Sequence, residues 1–507
     1  MEYQFLSFPT FFSFLFFLFM VLKLWKRSKN NSKPNLPPGP WKLPLIGSMH
    51  HLAGALPHHR MRDLAKKYGP IIHLQLGEFP HIVVSSPETA KQVMKTHDVI
   101  FAQRPSLLAG IIVGYNCTDL TFAPYGEYWR QVRKISMLEL LTAKRVQSFK
   151  SIREEQMSKL IREMSSGSGS PINFSKMVNS LTYNIISTAA FGKVWSGEEM
   201  FIPAVKKVIE AAAGLSLADL YPSIKLFQMF STLKHKLLRV QKELDEIFQN
   251  IIDEHRARRM EGKPGLESEE ADFVDVLLRF QDQEDFQFPV TDEKIKAIIL
   301  DMFIAGSETS TTTLIWAMSE MMKNPRVIKK AQAEVRQVFN KNGNIVEEAS
   351  LGEFSYLKAV TKETLRLHPP VPVLLPRECK EDCQIDGYDI PAKSRILVNA
   401  GTIGRDPNYW TEAEKFYPER FLDCSVDYKG TDFEFIPFGA GRRMCPGMWF
   451  GIANVEFPLA QLLYYFDWKL PNEQNPEDLD MAEEFGAVIT RKNDLRLIPT
   501  PYIPSLP

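Results

Sequence analysis

Phe438-Gly439-Ala440-Gly441-Arg442-Arg443-Met444-Cys445-Pro446-Gly447 is the stretch that decides the reading of this 507-residue chain. Its glycines let the backbone turn tightly and approach a flat ligand with no Cβ in the way. Pro446 predicts the first turn of a helix, where proline is best tolerated, and a helix N-terminus beside Cys445 favours the thiolate over the thiol. Taken apart, these signals are ordinary. An isolated cysteine is most often an inert buried side chain, and the loop does not fit the nucleotide-binding pattern G-x-G-x-x-G, because Met444 stands where the third glycine belongs. The complete string F-x-x-G-x-R-x-C-x-G is far more restrictive than its parts.

Upstream, Lys362-Glu363-Thr364-Leu365-Arg366 sets an acid and a base three residues apart on one helix face, where they can pair. On a surface such a pair is worth little. Earlier still, Thr291 predicts an N-cap, Asp292 and Glu293 suit the positive end of the helix dipole, and apolar residues recur as far as Lys323 before Asn324-Pro325 stops the helix. Such a helix crosses a whole domain. In its middle, Ala305-Gly306-Ser307-Glu308-Thr309-Ser310 places a helix-weakening glycine beside an acid and an alcohol in apolar surroundings. By itself that predicts only a kink with locally satisfied hydroxyls.

The rest of the body is mostly helix-period sequence. Short strand signals lie at residues 71–76, 81–84 and 395–398, so the fold class is mainly α with a small β-sheet region. The chain is long enough to bury a substantial core, and no boundary divides residues 41–507, read as one catalytic domain. Residues 165–171 read as a loop, and the charged run from His255 to Asp272 as a solvated inter-helix loop. With 61 basic against 61 acidic residues there is no basic footprint for nucleic acid. Five scattered cysteines without a C-x-x-C pair indicate neither a disulfide framework nor a zinc ribbon. Cys379 and Cys383 read as plain thiols. His50-His51 and His58-His59 read as exposed loop histidines, since no H-E-x-x-H is present.

Residues 1–33 read as a membrane anchor with a basic flank. No charge occurs from Tyr3 to Leu22, whereas Lys23, Lys26, Arg27, Lys29 and Lys33 come after it, which predicts one transmembrane helix with the body in the cytosol. A cleaved signal peptide would need a basic start and a small-residue cleavage site, and neither is there. Residues 34–40, Pro34-Asn35-Leu36-Pro37-Pro38-Gly39-Pro40, cannot continue a helix and read as a semi-rigid proline-rich hinge.

In these motifs the chain closely resembles the cytochrome P-450 haem-thiolate monooxygenases. The hinge, Phe101-Ala102-Gln103-Arg104-Pro105 and Leu367-His368-Pro369-Pro370 resemble the plant microsomal A-type group, in particular its terpenoid- and alkaloid-oxidising branch. The resemblance implies haem b held by Cys445 as axial ligand to the iron, with Phe438 and Gly439 against the ring. It implies propionate-binding residues at Trp129, Arg133, Arg377 and Arg443, the arginines being suited to carboxylates by guanidinium geometry. It implies that Glu363 and Arg366 join Arg420, in Pro418-Glu419-Arg420-Phe421, as a structural buttress. Thr309 and Glu308 become the catalytic pair for water and proton delivery, while Ala305 and Gly306 leave room for O₂ and substrate. The sequence departs from its plant relatives at Gly401, where they commonly carry a tryptophan.

The resemblance further implies an endoplasmic-reticulum enzyme, single-pass, oxidising a bulky apolar specialised metabolite with O₂ and NADPH-derived electrons from a separate reductase. The pocket expected from the family runs through residues 104–122, 201–217, 297–309, 371–375 and 485–489, with Leu107, Leu108, Ile111, Ile112, Ile304, Val371, Val373, Leu374 and Val488 as its apolar lining. A sesqui- or diterpenoid is the first expectation and an indole alkaloid the second. A haem-thiolate isomerase, and a haem sensor or electron carrier without turnover, are readings from other classes. Arg130, Lys134, Lys144, Arg145 and Arg442 are expected to form a local basic patch for the reductase near Cys445.

Overall fold

Short apolar, β-branched runs buried on both faces make the first sheet, and the long apolar-periodic segments make a helical body around one central helix. The computed structural model describes residues 34–194, 198–212, 215–261, 271–283, 287–341 and 346–502. The expected anchor at residues 1–33 lies outside them; no helix among the described residues is long and apolar enough to cross a membrane.

In chain order, the elements that position the site begin with α1 (Pro57–Tyr68) and the hairpin β1 (Ile71–Leu76) and β2 (Phe79–Val84). α2 (Glu127–Ile135), α3 (Phe174–Phe191) and α4 (Thr232–Met260) come next, then α5 (Asp292–Lys323), α6 (Pro325–Lys341) and α7 (Ser355–Leu367). β3 (Arg377–Glu378) and β4 (Arg395–Val398) complete the first sheet, succeeded by α8 (Met448–Tyr465) and the short hairpin β5 (Glu483–Glu484) and β6 (Thr490–Arg491). The sheet order is β1-β2-β4-β3. β2 runs antiparallel to β1 and parallel to β4, with His81 opposite Arg395, and β3 is antiparallel to β4.

α5 has the bounds its sequence predicts. Thr291 caps it through a bond from the Lys294 N–H, and the helix ends before Asn324-Pro325. It is buried along most of its length and packs on α3 and α8. Residues 304–313 remain helical, and the hydroxyls of Ser307, Thr309 and Thr313 are satisfied within the helix, each donating to the carbonyl four residues back.

Three local expectations are corrected. His255 lies inside α4, buried, with its Nε2 2.8 Å from Asp272, itself the buried cap of the next helix, so the two ends of the charged run belong to the core. His58 and His59 are not exposed loop residues: they open α1, and His58 is buried. α8 begins at Met448 with Gly447 as N-cap, so Pro446 precedes the helix instead of starting it. The 34–40 segment is tied to the body, since the His73 N–H donates to the Pro38 carbonyl at 2.8 Å and Asn35 bonds Asp389 and Gly387.

Candidate active site

Cys445 sits just ahead of α8, at the floor of a cavity of about 250 Å³ whose roof is α5. The loop before it folds back on itself: the Cys445 N–H donates to the Phe438 carbonyl at 3.0 Å, and Gly439 and Gly441 adopt φ near +70°. A side chain at Gly441 would strike the Met94 carbonyl, 2.0 Å from an ideal Cβ, so glycine is required there. Burial raises the Cys445 thiol, while a backbone hydrogen bond at Gly447 and the Arg133 charge favour the thiolate. Phe438, Gly439, Ala305, Gly306, Thr309 and Cys445 all line the cavity. At Gly306 a Cβ would come 3.1 Å from Ile186 and 3.5 Å from Phe450, so the helices approach closely here.

Around one side of the cavity stand four arginines, Arg104, Arg133, Arg377 and Arg443. Arg377 meets Asp98 at 3.3 Å. The other three bond backbone carbonyls: Arg104 those of Leu375 and Pro376 at 2.7 Å, Arg133 that of Met444 at 2.6 Å, and Arg443 those of Ala102 at 2.8 Å and Ala123 at 2.6 Å. Burial, reinforced by repulsion from Arg377 and Arg133, pushes Arg443 down to about 9. Arg104 is also lowered, by burial and then by Arg443 and Arg377. Only Arg377 of the four is in direct contact with a carboxylate, so the buried positive charge exceeds its partners and calls for an anion in the cavity. A flat ring bearing two carboxylates and a metal open to a thiolate meets both the arginines and Cys445, so the residues present fit haem b. Trp129 holds this side together differently from its expected role: its indole N–H donates to the Leu120 carbonyl at 3.1 Å, and Arg443 stacks on its ring at 4.3 Å.

Behind the loop, the Glu363 carboxylate takes two bonds from Arg366, at 2.7 and 2.8 Å, and others from the Arg420 Nε at 3.1 Å and the Tyr417 N–H at 2.7 Å. Arg366 also reaches the carbonyls of Gly404 and Ala413. Both members of the pair are fully buried, which makes it unlike a surface pair.

The distal wall differs from expectation. Val371 and Leu374 line the haem-side cavity; Leu107 and Val373 line a smaller neighbouring one with Leu215, Phe485 and Ile489; Leu108, Ile111, Ile112, Ile304 and Val488 line neither, and Ile111 is exposed. Glu308 is not in the lining either; burial raises its carboxyl and the Lys206 charge opposes this. Sequence reading missed Ile186 and Phe450 in the wall, and within the expected 297–309 stretch it did not single out the polar Asp301. Asp301 accepts from the Thr121 N–H at 2.9 Å, fastening residues 119–122 to α5, and burial raises both it and Asp119. Of the expected basic patch, Arg130, Lys134, Lys144 and Arg442 are exposed, but Arg145 turns inward and donates to the Ala271 carbonyl.

A model of the cytochrome P450 family matches residues 37–497. Premnaspirodiene oxygenase of Hyoscyamus muticus is 52% identical over 484 residues, 96% of each chain. Desmethyl-deoxy-podophyllotoxin synthase of Sinopodophyllum hexandrum is 54% identical over 498 residues, 98% of this chain and 97% of that one. 5-Epiaristolochene 1,3-dihydroxylase of Nicotiana tabacum is 51% identical over 486 residues, 96% of both. The fold matches a zebrafish cytochrome P450 structure titled with progesterone, with a TM-score of 0.75 at 23% identity, over 88% of this chain and all of that one. Cysteine, arginine cluster and helical roof thus stand in a chain matched by the family model over nearly its whole length: it belongs to the cytochrome P450 family and is a haem monooxygenase supplied with electrons by a separate NADPH-dependent reductase.

Proposed function

We propose that this monooxygenase oxidises a sesqui- or diterpenoid skeleton in the cavity between α5 and residues 370–375. The observation that carries the reading is the opposition of Cys445 and the Ala305–Gly306–Thr309 face across one mainly apolar chamber. Two relatives are named for oxidising premnaspirodiene and 5-epiaristolochene, both hydrocarbons by name. The relative named as a desmethyl-deoxy-podophyllotoxin synthase makes a scaffold of that kind a second reading, beside an indole alkaloid.

Haem, held by Cys445, would supply the activation of O₂ and the transfer of one oxygen atom to a C–H bond, with the Cys445 thiolate as an electron-rich donor. Arg104, Arg133, Arg377 and Arg443 would hold the two propionates, whose charge would relieve the repulsion among the arginines. The Thr309 hydroxyl, now donating to the Ala305 carbonyl at 2.6 Å, turns to hold a proton at Oγ1 on the cavity side. Glu308, its carboxyl raised by burial, replenishes that proton from the far side of α5. Val371, Leu374, Ile186 and Phe450 exclude water and orient the hydrocarbon.

The enzyme works at the endoplasmic-reticulum membrane, anchored by residues 1–33. An exposed apolar face supports this: Trp41, Leu45, Leu226, Met229 and Phe230 stand out of the body, and the Tyr221 hydroxyl ties the two segments together through the Leu45 carbonyl at 2.8 Å. The reductase docks at the exposed cations of α2 and Arg442, beside Cys445.

The test is Thr309→Ala in microsomes supplied with reductase, NADPH and a panel of terpenoid scaffolds. The variant should keep the haem spectrum while NADPH consumption shifts from product to peroxide or water. Unchanged coupling would favour an isomerase over a monooxygenase role for the site, and turnover confined to aromatic scaffolds would remove the terpenoid assignment.

A further inference from the structure

We propose that His58, His59 and Glu483 form a binding site for one divalent transition-metal ion of the Zn²⁺ class, separate from the haem cavity. The Nε2 atoms of His58 and His59 both lie against one carboxylate oxygen, Oε2 of Glu483, at 2.9 and 2.8 Å, and the three donor atoms lie within 4.8 Å of one another. Two imidazoles and a carboxylate are a borderline-soft donor set, and a tetrahedral ion with bonds of about 2.0–2.2 Å needs donors roughly 3.3 Å apart, so the two imidazole–carboxylate separations have only to open by a few tenths of an ångström. On binding, each ring presents its Nε2 lone pair and carries its proton at Nδ1.

A second observation places room beside the donors. The three residues border a cavity of about 20 Å³, enough for a single ion or water. Two further polar atoms on residues lining it lack partners: Nδ1 of His368, whose side chain is 10% exposed, and the Thr402 hydroxyl. Gly401 also borders it, and a Cβ there would stand 3.0 Å from Pro372, another lining residue, so a side chain at this position would crowd the wall. No residue lining this cavity lines the haem cavity. The two nearby guanidiniums are occupied elsewhere, Arg62 and Arg405 both pairing with Glu414, at 3.3 and 3.2 Å. Glu483 is thereby left as the anion for the cluster. The histidines hold its carboxyl well below the usual carboxylate range.

The ion would join α1 to the β5–β6 hairpin. Between those two strands lie Phe485, Gly486, Ala487 and Ile489, which wall the small cavity next to the haem chamber. Occupancy therefore rigidifies one wall of the substrate side.

The experiment is calorimetric titration of tag-free holoenzyme with Zn²⁺, with bound metal counted after dialysis. Wild type should take up one equivalent beyond its iron. His59→Ala, which removes a side chain that is 36% exposed and so outside the core, and Glu483→Gln should each weaken that equivalent at least tenfold. A Cys379→Ser/Cys383→Ser variant should bind as wild type does. No uptake, meaning that the cavity holds water only, would overturn the proposal. So would an equivalent that survives both cluster variants or disappears with the thiols.

Discussion

The two sides of the cavity are built on different principles. On the side of Cys445, charged groups are fixed by many partners: Glu363 accepts bonds from Arg366, Arg420 and Tyr417, and the cavity arginines reach backbone carbonyls from several segments. On the substrate side, the wall is assembled from single side chains of distant segments, such as Ile186 of α3, Val371, and Phe450 of α8. The first arrangement resists change because each lost partner strands a buried charge. The second tolerates hydrophobic exchange, which adjusts shape at modest cost. A fixed chemistry and an adjustable substrate pocket can therefore share one chamber.

The contrast breaks most sharply if the buttress is not required. Glu363→Ala leaves Arg366 and Arg420 buried without their anion, and is expected to cost about 3–5 kcal/mol in denaturant unfolding and to lower haem occupancy. A loss below about 1 kcal/mol, the size of a surface pair, would place this side in the same class as the opposite wall.

Glu456 of α8 sharpens the comparison by its pH signature. Burial pushes its carboxyl up from 4.5 to about 7. The folded state binds the proton more tightly than the unfolded chain, so stability from this group is present below pH 4.5 and is lost as pH rises through about 7. Glu456→Gln should leave stability at pH 4.5 unchanged and raise it at pH 8 by up to about 3 kcal/mol. Parallel unfolding midpoints at all pH values would mean that the group is solvated.

The smallest effect is expected at the surface. Arg130→Glu with Lys134→Glu should slow reductase-supported turnover several-fold at low salt and less at physiological ionic strength, where the Debye length is about 8 Å. Peroxide-supported turnover should not change. Equal loss by both routes would indicate damage to the fold.

The same division explains what could be read in the sequence. The strands at 71–76, 81–84 and 395–398, the bounds of α5, and the Glu363–Arg366 pair were legible because each is a local pattern or a fixed spacing, whereas the joining of Arg420 to that pair was implied only by the family resemblance. The inward turn of Arg145, the burial of His255 against Asp272, and the meeting of His58 and His59 with Glu483 were not, because each depends on a partner outside the local pattern. Arg104 was visible as part of a motif, but its place among the cavity cations comes from the approach of residues 375–376. Ile111 and Ile112 failed as cavity residues because hydropathy does not say which cavity, core or surface an apolar side chain meets.

At the centre of the proposed mechanism, Cys445 would hold haem as a thiolate on the floor of this chamber. The reduced carbon monoxide spectrum of Cys445→Ser tests this most directly, measured beside wild type on protein shown to be folded. Wild type should give the strongly red-shifted Soret band of a thiolate-ligated haem, and the variant should lose it. An unchanged red-shifted band in the variant would contradict the assignment.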